Sequence, residues 1–187
     1  MQTTTSTPSS HAPLYATPNL GRHTLDTLAA MTFAELEALY RAAPAPSSIK
    51  NADGELRGRM LAIKRLERGP IASAVRRWAG SRSFVWEGKT FKAIDDARGD
   101  GHNRIAVAGV LGRQNLFPFT TRIDRSEIDT RPTLVLDYDL SVNPSYIRKV
   151  HDEIRELAPG LFLGPAMWKT AKAPVTVLWF ALDGRAS

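Results

Sequence analysis

The sequence predicts an α+β domain, mostly antiparallel sheet closed into a small β-barrel, with two or three short helices. Three observations point there. After Ser83 the chain breaks into short apolar or alternating runs separated by turn residues, the pattern of consecutive antiparallel strands. Strands and helices do not alternate along the chain, so a parallel sheet is not expected. The last run, Val175 to Leu182, is long, aromatic and almost uncharged. At an open edge it would invite aggregation, so it is expected to pair on both sides as a barrel-closing strand.

Residues 1–22 are rich in Thr, Ser, Pro and Ala. Such a segment buries too little apolar surface to offset its ordering entropy, so it is expected to be a disordered tail, with 23–187 as the single folded domain. The first helix begins at Thr32. Thr32 and Glu35 have capping-box spacing, and Met31 and Leu36 have that of a hydrophobic staple. Phe33, Leu36, Leu39 and Tyr40 share one face, and Pro44 and Pro46 stop the helix. Asn51-Ala52-Asp53-Gly54 predicts a turn, and Glu55 to Ile63 a strand carrying Gly58. Pro70 is placed for the first turn of a second helix, with Ile71, Val75 and Trp78 at helical spacing, Arg76 and Arg77 on its exposed face, and Gly80 as its stop.

The strand-like runs follow. Ser83–Trp86 and Lys89–Ile94 flank a turn at Glu87-Gly88. Arg104–Leu111 follows a turn at Gly99-Asp100-Gly101. Leu116–Ile123, Thr133–Tyr138, Leu161–Trp168 and Val175–Leu182 complete the set. One stretch interrupts them. Ser145–Leu157 places Ile147, Val150, Ile154 and Leu157 at helical spacing, with Arg148/Asp152 and Lys149/Glu153 as opposite charges four apart. It is expected to be a helix ended by Pro159-Gly160. The rival reading is a strand with Val150, Asp152 and Ile154 on one side.

Composition narrows the function classes. The chain of 187 residues is 43% hydrophobic and 24% charged, with a formal net charge of +6 and no Cys. Length and composition suit one globular domain. The lack of Cys removes disulfides, thiolate zinc sites and Cys nucleophiles. The basic balance favours an anionic partner in general. Its cations are scattered, however, so nucleic-acid binding is not expected. With no basic-then-apolar start and no run approaching the roughly 18 apolar residues of a membrane span, a cytoplasmic chain without membrane association is expected; a homodimer stays open. Walker-type, GxGxxG, GxSxG and His-Glu-x-x-His patterns do not occur.

The densest polar cluster combines Asp137-Tyr138-Asp139 with His151-Asp152-Glu153-Ile154-Arg155. Asp137 and Asp139 share a face if that segment is extended, and paired carboxylates can split their pKa values for acid–base work. Asp139 reads more simply as a strand end, whereas Asp137 follows an apolar run and needs partners. His151 is a candidate base, haem ligand or metal ligand. It has no second His at i+4, so no metal site is expected, and a hydrogen-bonded structural His is the simpler reading. Arg155 can clamp a carboxylate or phosphate, or pair internally with Asp152 or Asp137. Trp86 is a candidate pocket wall, with core filling as the alternative.

The ordered motifs Leu56-Arg57-Gly58-Arg59, Trp86-Glu87-Gly88-Lys89-Thr90-Phe91, Leu136-Asp137-Tyr138-Asp139, Asp152-Glu153-Ile154-Arg155, Gly160-Leu161-Phe162-Leu163-Gly164 and Trp179-Phe180-Ala181-Leu182 span residues 53–182. In these the chain resembles the bacterial GxWxG-type, lipocalin-like proteins of unknown function. The resemblance implies a small barrel with an internal pocket and no particular reaction or cofactor. The leading expectation is therefore a barrel that binds a hydrophobic or aromatic-acid-like small molecule, with Trp86, Asp137, Tyr138 and Arg155 at the ligand. The alternatives are a lyase, isomerase or cyclase using Asp137, His151 and Arg155, and a haem binder using His151.

Overall fold

A computed structural model describes residues 22–64, 84–107 and 112–185. Its sheet is a closed barrel of eight antiparallel strands in sequence order: β1 (Gly54–Ile63), β2 (Phe84–Ala93), β3 (Arg98–Val107), β4 (Gly112–Arg125), β5 (Pro132–Asp137), β6 (Val150–Ala158), β7 (Leu161–Trp168) and β8 (Val175–Asp183). β8 pairs with β7 from Leu161↔Asp183 to Trp168↔Val175, and with β1 from Arg57↔Asp183 to Ile63↔Leu178. The apolar final run is thus bonded along both edges, as its composition required.

Among the described residues two helices lie outside the barrel, α1 (Leu25–Ala29) and α2 (Phe33–Ala42). The capping box of α2 forms as read: Glu35 Oε2 accepts from the Thr32 amide at 2.7 Å, and Thr32 Oγ1 from the Glu35 amide at 3.3 Å. Helix α1 is too short for a periodicity signal, and its mark is a reciprocal Thr24/Thr27 cap. Residues 1–21 of the expected tail and the expected Pro70–Gly80 helix lie outside the described residues.

Three expectations are corrected. Ser145–Leu157 is not a helix but a short 3-10 turn, Ile147–Lys149, followed by strand β6. The inner face of β6 is packed in the barrel core and its outer face lies against α2, so six of its nine residues are buried and none is exposed. A strand covered on both faces loses its alternation, and its apolar residues then fall at helical spacing by coincidence. The expected i,i+4 ion pairs do not form: Arg148 binds Asp139 at 2.6 Å, and Asp152 binds Lys89 at 2.9 Å. Second, Glu87-Gly88 is no turn. It is a bulge inside β2, where the register shifts between Trp86 and Gly88. Third, Gly99-Asp100-Gly101 lies within β3. The turn comes earlier, where Asp95 Oδ1 accepts from the amides of Ala97 and Arg98, both at 2.8 Å.

Packing divides into an inner and an outer cluster. Inward-facing residues of the strands, among them Leu56, Phe91, Phe119, Leu136, Ile154 and Phe180, fill the barrel. Ile49 and Ala52, from the 3-10 turn before β1, join this cluster and plug the end of the barrel where β1 begins. At the opposite end, where β1, β3, β5 and β7 finish, Met60, Trp86, Phe117, Val150 and Trp168 are partly buried. The outer cluster seats α1 and α2 on the sheet. Leu36, Leu39 and Tyr40 meet Leu161, Leu163 and Trp179 there, with the Tyr40 and Trp179 ring centroids 5.5 Å apart.

Candidate functional site

The β2 bulge decides what faces inward. Regular alternation would put Trp86 and Lys89 on opposite faces of the strand. The extra residue in the bulge turns both into the barrel. Gly88 permits it, with φ +137 and a Cβ position 2.0 Å from the Leu56 carbonyl oxygen. Gly58 on β1 leaves the space that the Trp86 indole fills, since a Cβ there would lie 2.4 Å from Trp86 Cη2. Asn103 from β3, Tyr138 just beyond β5 and Asp152 from β6 complete the set.

These five residues form one buried network. Lys89 Nζ donates to Asp152 Oδ2 at 2.9 Å, to Asn103 Oδ1 at 2.9 Å and to the Tyr138 hydroxyl. That uses the three N–H bonds of an ammonium. Tyr138 donates to Asp152 Oδ2 at 3.0 Å and accepts from Asn103 Nδ2 at 3.2 Å. Trp86 Nε1 donates to Asn103 Oδ1 at 3.0 Å. Lys89 is 2% exposed and Asp152 3%. The second carboxylate oxygen, Asp152 Oδ1, is buried and has no hydrogen-bond partner among the described residues.

Four aromatic rings surround the ammonium. Lys89 Nζ lies 5.5 Å from the Trp86 ring centroid, 5.3 Å from Phe119, 5.2 Å from Tyr138 and 5.2 Å from Phe180. All are within cation–π range. Loss of water still dominates: burial pushes the Lys89 ammonium below the usual lysine range, against the Asp152 charge that holds it up. Burial, then the Asp152 charge, push the Tyr138 phenol well above its ordinary value. Tyr138 therefore stays a neutral hydroxyl. The arrangement offers an amine of reduced basicity, a carboxylate and a phenol within hydrogen-bond reach of one another, in an apolar enclosure.

The expected site residues separate. Trp86 and Tyr138 face the interior. Asp137, His151 and Arg155 face outward. Asp137 lies against Lys169 at 2.9 Å and Arg122 at 3.3 Å. Burial opposes its ionisation, but these cations and the Asp139 amide outweigh it and hold the carboxyl below its ordinary range. His151 Nε2 lies 3.2 Å from Glu153 Oε1. Arg155 is fully buried and makes a two-pronged bond to Asp129 at 2.7 and 2.6 Å. It also donates to the carbonyls of Tyr40, Pro132 and Arg131 at 3.1 Å each, and its guanidinium lies 4.4 Å from the Tyr40 ring centroid. Its donors are thus engaged in holding α2 and the β4–β5 turn to the sheet.

Glu153 anchors the same outer face. Its Oε2 lies 2.7 Å from the Tyr40 hydroxyl and 2.5 Å from Ser126 Oγ, and its Oε1 accepts from the Glu127 amide at 2.8 Å. Burial alone would raise this carboxyl; its donors more than offset that and leave it below the ordinary value of 4.5. Asp129, bonded to Arg155, is likewise held below 3.8. A carboxyl depressed in the folded state binds fewer protons than it does unfolded, so stability rises with pH across that window. The contribution is complete above these ordinary values and lost as pH falls through the lower folded ones. Urea midpoints followed from neutral into acid should fall there, and Glu153→Gln should flatten part of the decline. A wild-type midpoint that stays level through this range would contradict the assignment.

Lys89, Asn103 and Asp152 are the residues that sequence reasoning missed as site members. Gly88 between Trp86 and Lys89 is the available signal for the first, because a Gly inside a strand pattern marks a bulge. For Asp152 the signal is the strand reading of β6. Nothing in the sequence marks Asn103. Among the described residues no group of three or more His, Asp or Glu is arranged to hold a metal ion, and no helix is long and apolar enough to cross a membrane.

No protein-family model and no curated protein matches the chain. Among solved structures, the crystal structure of a protein from Thermomonospora curvata is similar, with a TM-score of 0.50 and 15% identity over 83% of this chain and 89% of that one. At that identity the likeness is one of fold. The barrel implied by the GxWxG-type resemblance is present, and the comparisons assign no family.

Proposed function

We propose that the protein binds a small, largely apolar or aromatic molecule inside the barrel, against the Lys89–Tyr138–Asp152 network. The observation that carries this reading is Asp152 Oδ1, a buried acceptor left open in a network whose other groups are paired. Buried acceptors without partners are rare and costly. A donor on the ligand, a hydroxyl or an amine, completes the network. The aromatic walls supply apolar contact, and the partly buried ring of Met60, Trp86, Phe117, Val150 and Trp168 is the natural entrance. An acidic ligand group would meet Lys89 rather than Arg155, whose donors are already taken.

The test is a fluorescence titration with 1-aminoanthracene, a flat apolar amine. Saturable enhancement is expected in the wild type. Asp152→Asn should weaken it about tenfold or more, because a hydrogen bond to a charged group is worth roughly 1.5–3 kcal/mol. Asp137→Asn, on the outer face, should leave it unchanged. The reading fails if the probe does not saturate, or if Asp137→Asn abolishes binding that Asp152→Asn spares.

A further inference from the structure

We propose that Lys89 captures a carbonyl-bearing ligand covalently, as an imine, with Asp152 and Tyr138 moving the protons. The proposal rests on the binding reading above and names the class of ligand: an aromatic or unsaturated aldehyde or ketone.

Geometry supplies each part. A lysine reacts with a carbonyl only as the free amine, and desolvation in an apolar enclosure favours that form. Lys89 is enclosed by four rings and 2% exposed. Asp152 Oδ2, 2.9 Å from Nζ, is placed to take the ammonium proton. The Tyr138 hydroxyl bonds both Nζ and Asp152 Oδ2, so it can relay that proton to the carbonyl oxygen. Asp152 Oδ1, open among the described residues, can accept the O–H of the addition product. A purely structural buried ion pair needs its remaining lone pairs satisfied, and here one carboxylate oxygen is left over.

The step balances. Nζ gives a proton to Asp152, and its lone pair forms the N–C bond while the carbonyl π electrons move to oxygen. That oxygen takes the proton back through Tyr138. The nitrogen then releases a second proton to Asp152, which returns it to the hydroxyl. Water leaves as the nitrogen lone pair forms C=N. Ammonium and carbonyl become a protonated imine and one water, with no change of net charge and no redox partner. The imine N–H stands where the ammonium stood, opposite Asp152.

The experiment treats the full chain with trans-cinnamaldehyde near neutral pH, adds cyanoborohydride to fix any imine as a stable secondary amine, and maps the modified peptide by mass. Label is expected on Lys89 several-fold faster than on the exposed Lys50, Lys92 and Lys172, because desolvation leaves more of its amine unprotonated. 1-Naphthol, an apolar hydroxyl donor with no amine to condense with the aldehyde, should slow labelling at Lys89 and not at the exposed lysines. Both readouts use the wild type, so neither depends on a variant that folds. Label confined to exposed lysines, with Lys89 unmodified, overturns the proposal. If 1-aminoanthracene still binds in an Asp152-dependent way, the covalent step alone falls; if it does not bind, the binding reading falls with it.

Discussion

Lys89→Met is expected to lower stability by about 3–5 kcal/mol, the usual cost of breaking a buried ion pair from one side. The substitution removes the cation 2.9 Å from Asp152 and leaves that carboxylate, 3% exposed, with the Tyr138 hydroxyl as its only remaining described donor. Asn103 Oδ1 loses one of its two donors as well. Met matches the length of the lysine stem, so packing changes little and the electrostatic loss dominates. The double variant Lys89→Met/Asp152→Leu should recover most of the loss, because replacing both members of a buried pair with apolar groups is often neutral. Urea midpoints at constant slope give both numbers. A single variant within about 0.5 kcal/mol of wild type would mean the carboxylate reaches water, and the enclosed network would be wrong.

Arg155→Met should cost a similar amount, about 3–5 kcal/mol, and act elsewhere. It strands Asp129, whose carboxylate takes two short bonds from the guanidinium, and frees the carbonyls of Tyr40, Pro132 and Arg131. Stacking over Tyr40 is also lost. Helix α2 then keeps its apolar contacts but loses the bond from Arg155 to the Tyr40 carbonyl. Hydrogen exchange should therefore speed up at the Leu39–Ala43 end of α2 before it does in β2 or β3. Arg155→Lys keeps the charge without the planar fork and should recover only part of the loss. At a concentration where the variant stays folded, 1-aminoanthracene binding should match the wild type. Impaired binding by the folded variant would place Arg155 at the ligand after all.

The barrel was largely legible in the sequence. Alternating runs and turn residues located most of its strands, and the uncharged Val175–Leu182 run argued for closure, which its pairing with β1 and β7 bears out. Strand β6 was misread for a physical reason. Its outer face is covered by α2, so Glu153 and Arg155 are as buried as Ile154, and polarity no longer reports the inside from the outside. That misreading scattered the site. Placed on a helix, Asp152 appeared to pair with Arg148; on a strand it points at Lys89. The β2 bulge had a comparable effect. Glu87-Gly88 resembles a hairpin turn, and only the register across β1 and β3 shows that Trp86 and Lys89 share the interior. Asp137 and Tyr138, adjacent in the sequence, take opposite faces by simple alternation. The cluster of ionisable residues seen in the sequence was therefore two networks, back to back on one sheet.

The most direct test of the inward-facing site is the two-dimensional 1H–15N spectrum of the protein titrated with 1-aminoanthracene. Contact with the interior network predicts that the Trp86 indole N–H, bonded to Asn103, and the amides of Lys89, Tyr138 and Asp152 show the largest shifts, with Asp137, His151 and Arg155 moving less. Largest shifts along the outer face at Asp137, His151 and Arg155, with the Trp86 indole unmoved, would contradict it.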